Sequence, residues 1–134
     1  MINHHSALVY TMVLASAADR EMTDSELLRI GQIVTRLPVF ADYDSDTLTD
    51  TTAECAALLD GDDGLDTALE IIHEALPERL YETAYAIACD IVAADLATTQ
   101  EELRLLEMLR HRLGVDRLAA AAIERGTRAR HMTI

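Results

Sequence analysis

Apolar residues recur along this chain at the spacing of helices, and no segment shows the alternation a strand requires. Residues 6–18 (Ser-Ala-Leu-Val-Tyr-Thr-Met-Val-Leu-Ala-Ser-Ala-Ala) are apolar on nearly every face, which predicts a helix buried all round at the centre of the fold. A second helix is expected from Thr23, because Glu26 three residues on completes a capping-box pattern. Leu27, Ile30, Ile33, Val34 and Leu37 give that helix a core-facing stripe, and Pro38 ends it. Residues 38–46 form a connection whose Val39, Phe40 and Tyr43 are expected to plug into the bundle.

A third helix over about 47–59 is stopped by Asp60-Gly61, and Asp62-Asp63-Gly64 restarts the chain into a fourth, with Leu65, Ala68, Leu69, Ile72 and Leu76 facing inward. Pro77 suits the first position of a fifth helix over 78–94. A sixth runs from Thr99 to Leu113 with Gly114 just past its end, and Asp116 caps a seventh reaching about Arg130. The prediction is an all-α protein, a single compact bundle of about seven helices.

One bend occurs twice. Ala17-Ala18-Asp19-Arg20-Glu21-Met22-Thr23-Asp24-Ser25-Glu26-Leu27 and Ala93-Ala94-Asp95-Leu96-Ala97-Thr98-Thr99-Gln100-Glu101-Glu102-Leu103 each carry an alanine-rich run into an aspartate, then a Thr-x-x-Glu-Leu helix start. Sliding the chain by 76 positions lays residues 12–37 over 88–113 and matches eight of them: Ala17, Ala18, Asp19, Thr23, Glu26, Leu27, Arg36 and Leu37. A duplicated helical unit follows, about 6–59 and 78–130, within a single domain spanning 1–134. Two copies are too few for a solenoid, so a two-lobed bundle built from similar halves is expected.

Composition agrees with helices. Half the chain is apolar, yet it has no Trp, one Phe and four Tyr, so the interior must be built from Leu, Ile, Val, Met and Ala. Charge is uneven: residues 1–100 carry 19 acids against four arginines, and residues 101–134 carry seven arginines against five acids, which together give −13. That balance excludes nucleic acid as a partner, since phosphate binding needs a basic footprint. Arg125, Arg128 and Arg130 lie where cations complement the negative end of a helix. The uncharged run over 6–18 is shorter than the roughly 20 residues that span a bilayer, and the start Met-Ile-Asn-His-His lacks a basic leader. A cytoplasmic protein is the expectation.

Few residues offer catalytic chemistry. Cys55 and Cys89 are isolated in apolar helices and read as small buried hydrophobes. His4 and His5 are expected at a mobile terminus, His73 is alone, and His111 and His131 sit among arginines, with no zinc-ligand spacing. Two segments imitate calcium loops. Asp42-x-Asp44-x-Asp46 has Thr47 at the sixth place and Ala53 at the twelfth, while the run from Asp60 has Leu65 and Ile71 there; neither meets the glycine and glutamate requirements. No nucleophile elbow and no glycine-rich phosphate loop is present, so a non-enzymatic role is expected.

The twin acidic turns remain. Glu26 and Glu102 can act as capping residues and Asp19 and Asp95 as turn formers, each cap stabilising by about 1 kcal/mol. Alternatively the turns lie side by side and Asp19, Glu26, Asp95 and Glu102 converge, with Glu21, Asp24 and Glu101 extending the set. Carboxylates about 4 Å apart repel by roughly 4 kcal/mol at an effective dielectric near 20. Converging acids would then take up a hard divalent cation such as Ca²⁺ or Mg²⁺, which accepts all-oxygen shells.

At these residues the chain resembles the TerB-like family of tellurite-resistance proteins. Residues 14–37, with Ala-Ala-Asp-x-Glu-Met-Thr-Asp-x-Glu, and residues 88–113, with Ala-Ala-Asp-x-x-x-x-x-x-Glu, look like the two halves of a TerB domain, and the likeness covers about 6–130. It implies a helical bundle of two similar halves, metal chelation by Asp19, Glu26, Asp95 and Glu102, and a protein partner in a bacterial stress-response assembly. The family's glycine after the aspartate is Arg20 in one copy and Leu96 in the other. The alternative expectation is a metal-free helical module that docks a protein partner.

Overall fold

In a computed structural model of the chain, residues 2–17, 22–94 and 98–134 are described. They form seven α-helices and no strand: α1 (His4–Ser16), α2 (Asp24–Arg36), α3 (Leu48–Leu59), α4 (Gly64–Ala75), α5 (Tyr81–Ala93), α6 (Gln100–Leu113) and α7 (Arg117–Arg130). Three 3-10 turns, Pro38–Phe40, Ser45–Thr47 and Glu78–Leu80, lie in the connections. Among the described residues no helix is long and apolar enough to cross a membrane.

α1 is the central element. Every residue from position 7 to 16 is buried, and the helix packs on α3, α4, α5 and α6. A helix surrounded on all sides has no polar face to present, which explains why its sequence shows none. α5 lies against α1 and is covered on another side by α7. Tyr85 of α5 donates its hydroxyl to Glu124 Oε2 of α7 at 2.6 Å, and Arg112 of α6 is paired with Asp66 of α4.

The connection after α2 closes one flank. Phe40 is buried, and Val39 and Tyr43 pack against the core, as the sequence predicts. His4 and His5 do not form a loose terminus: both belong to α1, and His5 Nε2 lies 2.8 Å from the Val39 carbonyl oxygen. Its ring stacks on Phe40 and meets Tyr43 edge-on. The residues that make this anchorage are some 34 positions away in sequence, so local pattern alone could not reveal it.

Two further expectations need correction. Leu27 and Leu65 do not face the core, each being 37% exposed. They sit in the first turns of α2 and α4. Pro77 does not open α5; it caps the 3-10 turn Glu78–Leu80, and α5 starts at Tyr81. The calcium-like segments are turns at helix ends, as the sequence reading has them. Asp44 Oδ1 accepts from the Asp46 amide at 3.0 Å, and Asp60 is the C-cap of α3.

Candidate metal centre

Threonines 23 and 99 start α2 and α6 in the same way. The Thr23 amide donates to Glu26 Oε1 at 2.9 Å and the Glu26 amide donates to Thr23 Oγ1 at 3.2 Å. At the second turn the Thr99 amide donates to Glu102 Oε1 at 2.8 Å and the Glu102 amide to Thr99 Oγ1 at 3.1 Å. Both are complete capping boxes. Each one satisfies backbone donors that the first helical turn leaves without partners.

The two boxes differ in burial. Glu26 is half-buried and Thr23 exposed, whereas Glu102 is 3% exposed. The difference follows from how the helices seat. α6 buries Glu102, Leu105, Leu109 and Leu113 on one face, and α2 fully buries only Ile30 and Val34. Under the 76-residue shift, Ile30 and Val34 correspond to Leu106 and Arg110, not to Leu105 and Leu109. α2 therefore presents to the core a face displaced by one position, about 100° of rotation.

Of the seven acidic residues assigned to the turns, Asp19, Glu21 and Asp95 lie outside the described residues. Asp24 and Glu101 are exposed in the first turns of α2 and α6. Among the described residues, no group of three or more His, Cys, Asp or Glu side chains is disposed to hold a metal ion. Glu26, Glu101 and Glu102 carry the oxygen donors a hard divalent cation takes, and Glu26 and Glu102 each commit one of theirs to a capping bond.

The chain on either side of the turns is closer to hand. Ala17, the last described residue before the first turn, and Glu101, in the opening turn of α6, line one cleft of about 340 Å³ with Leu14, Leu59, Leu65, Arg104, Leu105 and Met108. The departure of the first bend and the arrival of the second thus sit at the same end of the bundle. This neighbourhood arises because α1 packs on both α5 and α6.

No match to a known protein accompanies this arrangement. No family model, no curated protein and no solved structure is significantly similar to the chain.

The remaining reactive groups are built into the interior. Cys55 and Cys89 are buried free thiols, and burial pushes each up to about 12 from an ordinary value of 9.0. Thiols held protonated in this way are poor nucleophiles and poor metal ligands. Burial and the hydrogen bond to Glu124 likewise raise Tyr85 well above its ordinary range. One feature was not foreseen from sequence, a cleft between α2, α5 and α7 lined by arginines; its residues come from three distant segments with no common motif.

Proposed function

We propose that this chain is a non-enzymatic, TerB-like protein of the tellurite and stress response that binds a divalent cation, Ca²⁺ or Mg²⁺, at its paired acidic inter-helix turns. The observation that carries the reading is the shared cleft of Ala17 and Glu101, which brings the flanks of the two turns together. On this reading Asp19, Glu26, Asp95 and Glu102 supply the donor oxygens, and Glu21, Asp24 and Glu101 extend the set. The matching capping boxes at Thr23 and Thr99 support a duplicated unit of two similar halves. They also hold each glutamate in a fixed rotamer, and fixed ligands lose less entropy when an ion arrives.

Energetics favour an ion if the acids converge. Repulsion between carboxylates about 4 Å apart, roughly 4 kcal/mol at an effective dielectric near 20, exceeds the roughly 1 kcal/mol of a cap. Calorimetric titration with Ca²⁺ and Mg²⁺ tests the proposal. Saturable heat is expected from the native chain and should vanish in the double variant Asp19→Asn with Asp95→Asn; identical heats from both proteins remove the site.

A second reading, a metal-free helical module that docks a protein partner, is favoured by a different observation. Leu28, Leu103 and Leu118 are 65%, 50% and 81% exposed, and Glu26 and Glu102 already serve as caps. Under that reading, partner binding survives both a chelator and the double Asn substitution.

A further inference from the structure

Residues 1–100 hold 19 acids and four arginines, and two of those arginines share one face of α2. Arg29, Gln32 and Arg36 stand at i, i+3 and i+7, the spacing that aligns side chains along a helix. They line a cleft of about 410 Å³, which α7 closes from the other side with Arg130 and His131. Ile33, Leu37 and Ile87 supply an apolar part of the lining.

The charges in this cleft do not cancel. Among the described residues Asp90 is its one carboxylate, and it is already paired with Arg130 at 2.9 Å, with His131 Nδ1 at 4.0 Å. Among the described residues neither Arg29 nor Arg36 has an ion-pair partner within 4.0 Å. Among the described lining residues, three guanidinium groups face one carboxylate, in a chain whose net charge is −13. The rotation of α2 is what opens the face. The counterpart of Arg29 under the repeat is Leu105, which is buried in α6, and the counterpart of Arg36 is Arg112, which is paired with Asp66.

We propose that the cleft between α2, α5 and α7 binds a small organic oxyanion, its phosphate or carboxylate head held between Arg29 and Arg36 and its apolar body resting on Ile33 and Ile87. Guanidinium groups present rigid paired donors that match either head group. The volume lies in the range of small-molecule sites, about 300–1,000 Å³. The cleft adjoins the second acidic turn at Ala94, but its guanidinium groups come from α2 and α7 and its ligand is an anion, so the proposal does not depend on a cation at the turns.

The test is NMR titration of the full chain with inorganic phosphate, phenyl phosphate and succinate in parallel, at fixed ionic strength. Saturable shifts are expected at residues 29–37, 87–94 and 127–131, with phenyl phosphate binding more tightly than inorganic phosphate. Tighter phenyl phosphate identifies a phosphate ester as the ligand class, and tighter succinate a dicarboxylate. Arg29→Gln with Arg36→Gln, both changes on a solvent-facing surface, should weaken the preferred ligand at least tenfold while leaving the circular dichroism spectrum unchanged. Absence of saturable shifts overturns the proposal. So do shifts that persist in the double variant, or that spread equally over Arg117, Arg125 and Arg128.

Discussion

Two glycines separate the two reasons a chain uses this residue. Gly114 has φ +66° with nothing within 4 Å of where a Cβ would stand, so Gly114→Ala costs only backbone strain, about 1 kcal/mol. Gly64 has no unusual φ, yet a Cβ there would lie 2.5 Å from the Leu58 carbonyl oxygen and 2.8 Å from Leu59 Cα. Backbone cannot retreat as a side chain can. Gly64→Ala should therefore be the more damaging change, by about 2–3 kcal/mol, and urea midpoints measured at unchanged slope will show the order. Gly114 was legible in sequence as a helix terminator; the close approach at Gly64 was not, because it depends on where α3 ends. The thiols make a second prediction at this scale. Cys55 and Cys89 have folded values raised to about 12 from 9.0, so the unfolded chain gives up its thiol protons first. Their contribution to stability is complete below pH 9 and is lost as pH rises towards 12, at up to about 1.4 kcal/mol per pH unit for each thiol. Denaturation followed from pH 8 to 10 should show the decline, and Cys55→Ala with Cys89→Ala should flatten it.

Among the elements, α2 and α6 form the informative pair. The Thr-x-x-Glu signature predicted both starts, and both capping boxes are complete, because a cap is local and its four residues suffice to specify it. The buried face of α2 was less legible. Leu27 and Leu28 are apolar and exposed, and the helix seats on Ile30 and Val34 instead. Nothing in a single amphipathic stripe says which edge of it the neighbours will cover. The two caps should also differ in worth. Thr99→Ala removes the hydroxyl that accepts from buried Glu102, whereas Thr23→Ala acts at an exposed turn. A loss of about 1 kcal/mol is expected for Thr23 and nearer 2 kcal/mol for Thr99. Thermal unfolding of the two variants checks this; equal losses would mean that burial adds nothing to the cap.

For the molecule as a whole, the all-helical architecture was readable because α1 is apolar around its whole circumference and so had to be surrounded. Which helices surround it was less so: the placement of α3 and α4 against α1 involves no repeated motif. The arginine-lined cleft was hidden for the same reason, since Arg29, Asp90 and Arg130 come from separate helices. For the acidic turns, sequence supplied the residues and the bundle supplies the shared neighbourhood of Ala17 and Glu101. The central claim is that both turns contribute to one cation site. Substoichiometric Mn²⁺ in an NMR experiment tests it most directly, because the ion broadens only resonances near it. The account predicts that amides of residues 17–22 and 94–99 disappear together at the same Mn²⁺ ratio, ahead of the rest of the chain, and return when Mg²⁺ is added in excess. Broadening of one turn without the other, or a diffuse loss across the many surface carboxylates, would contradict it.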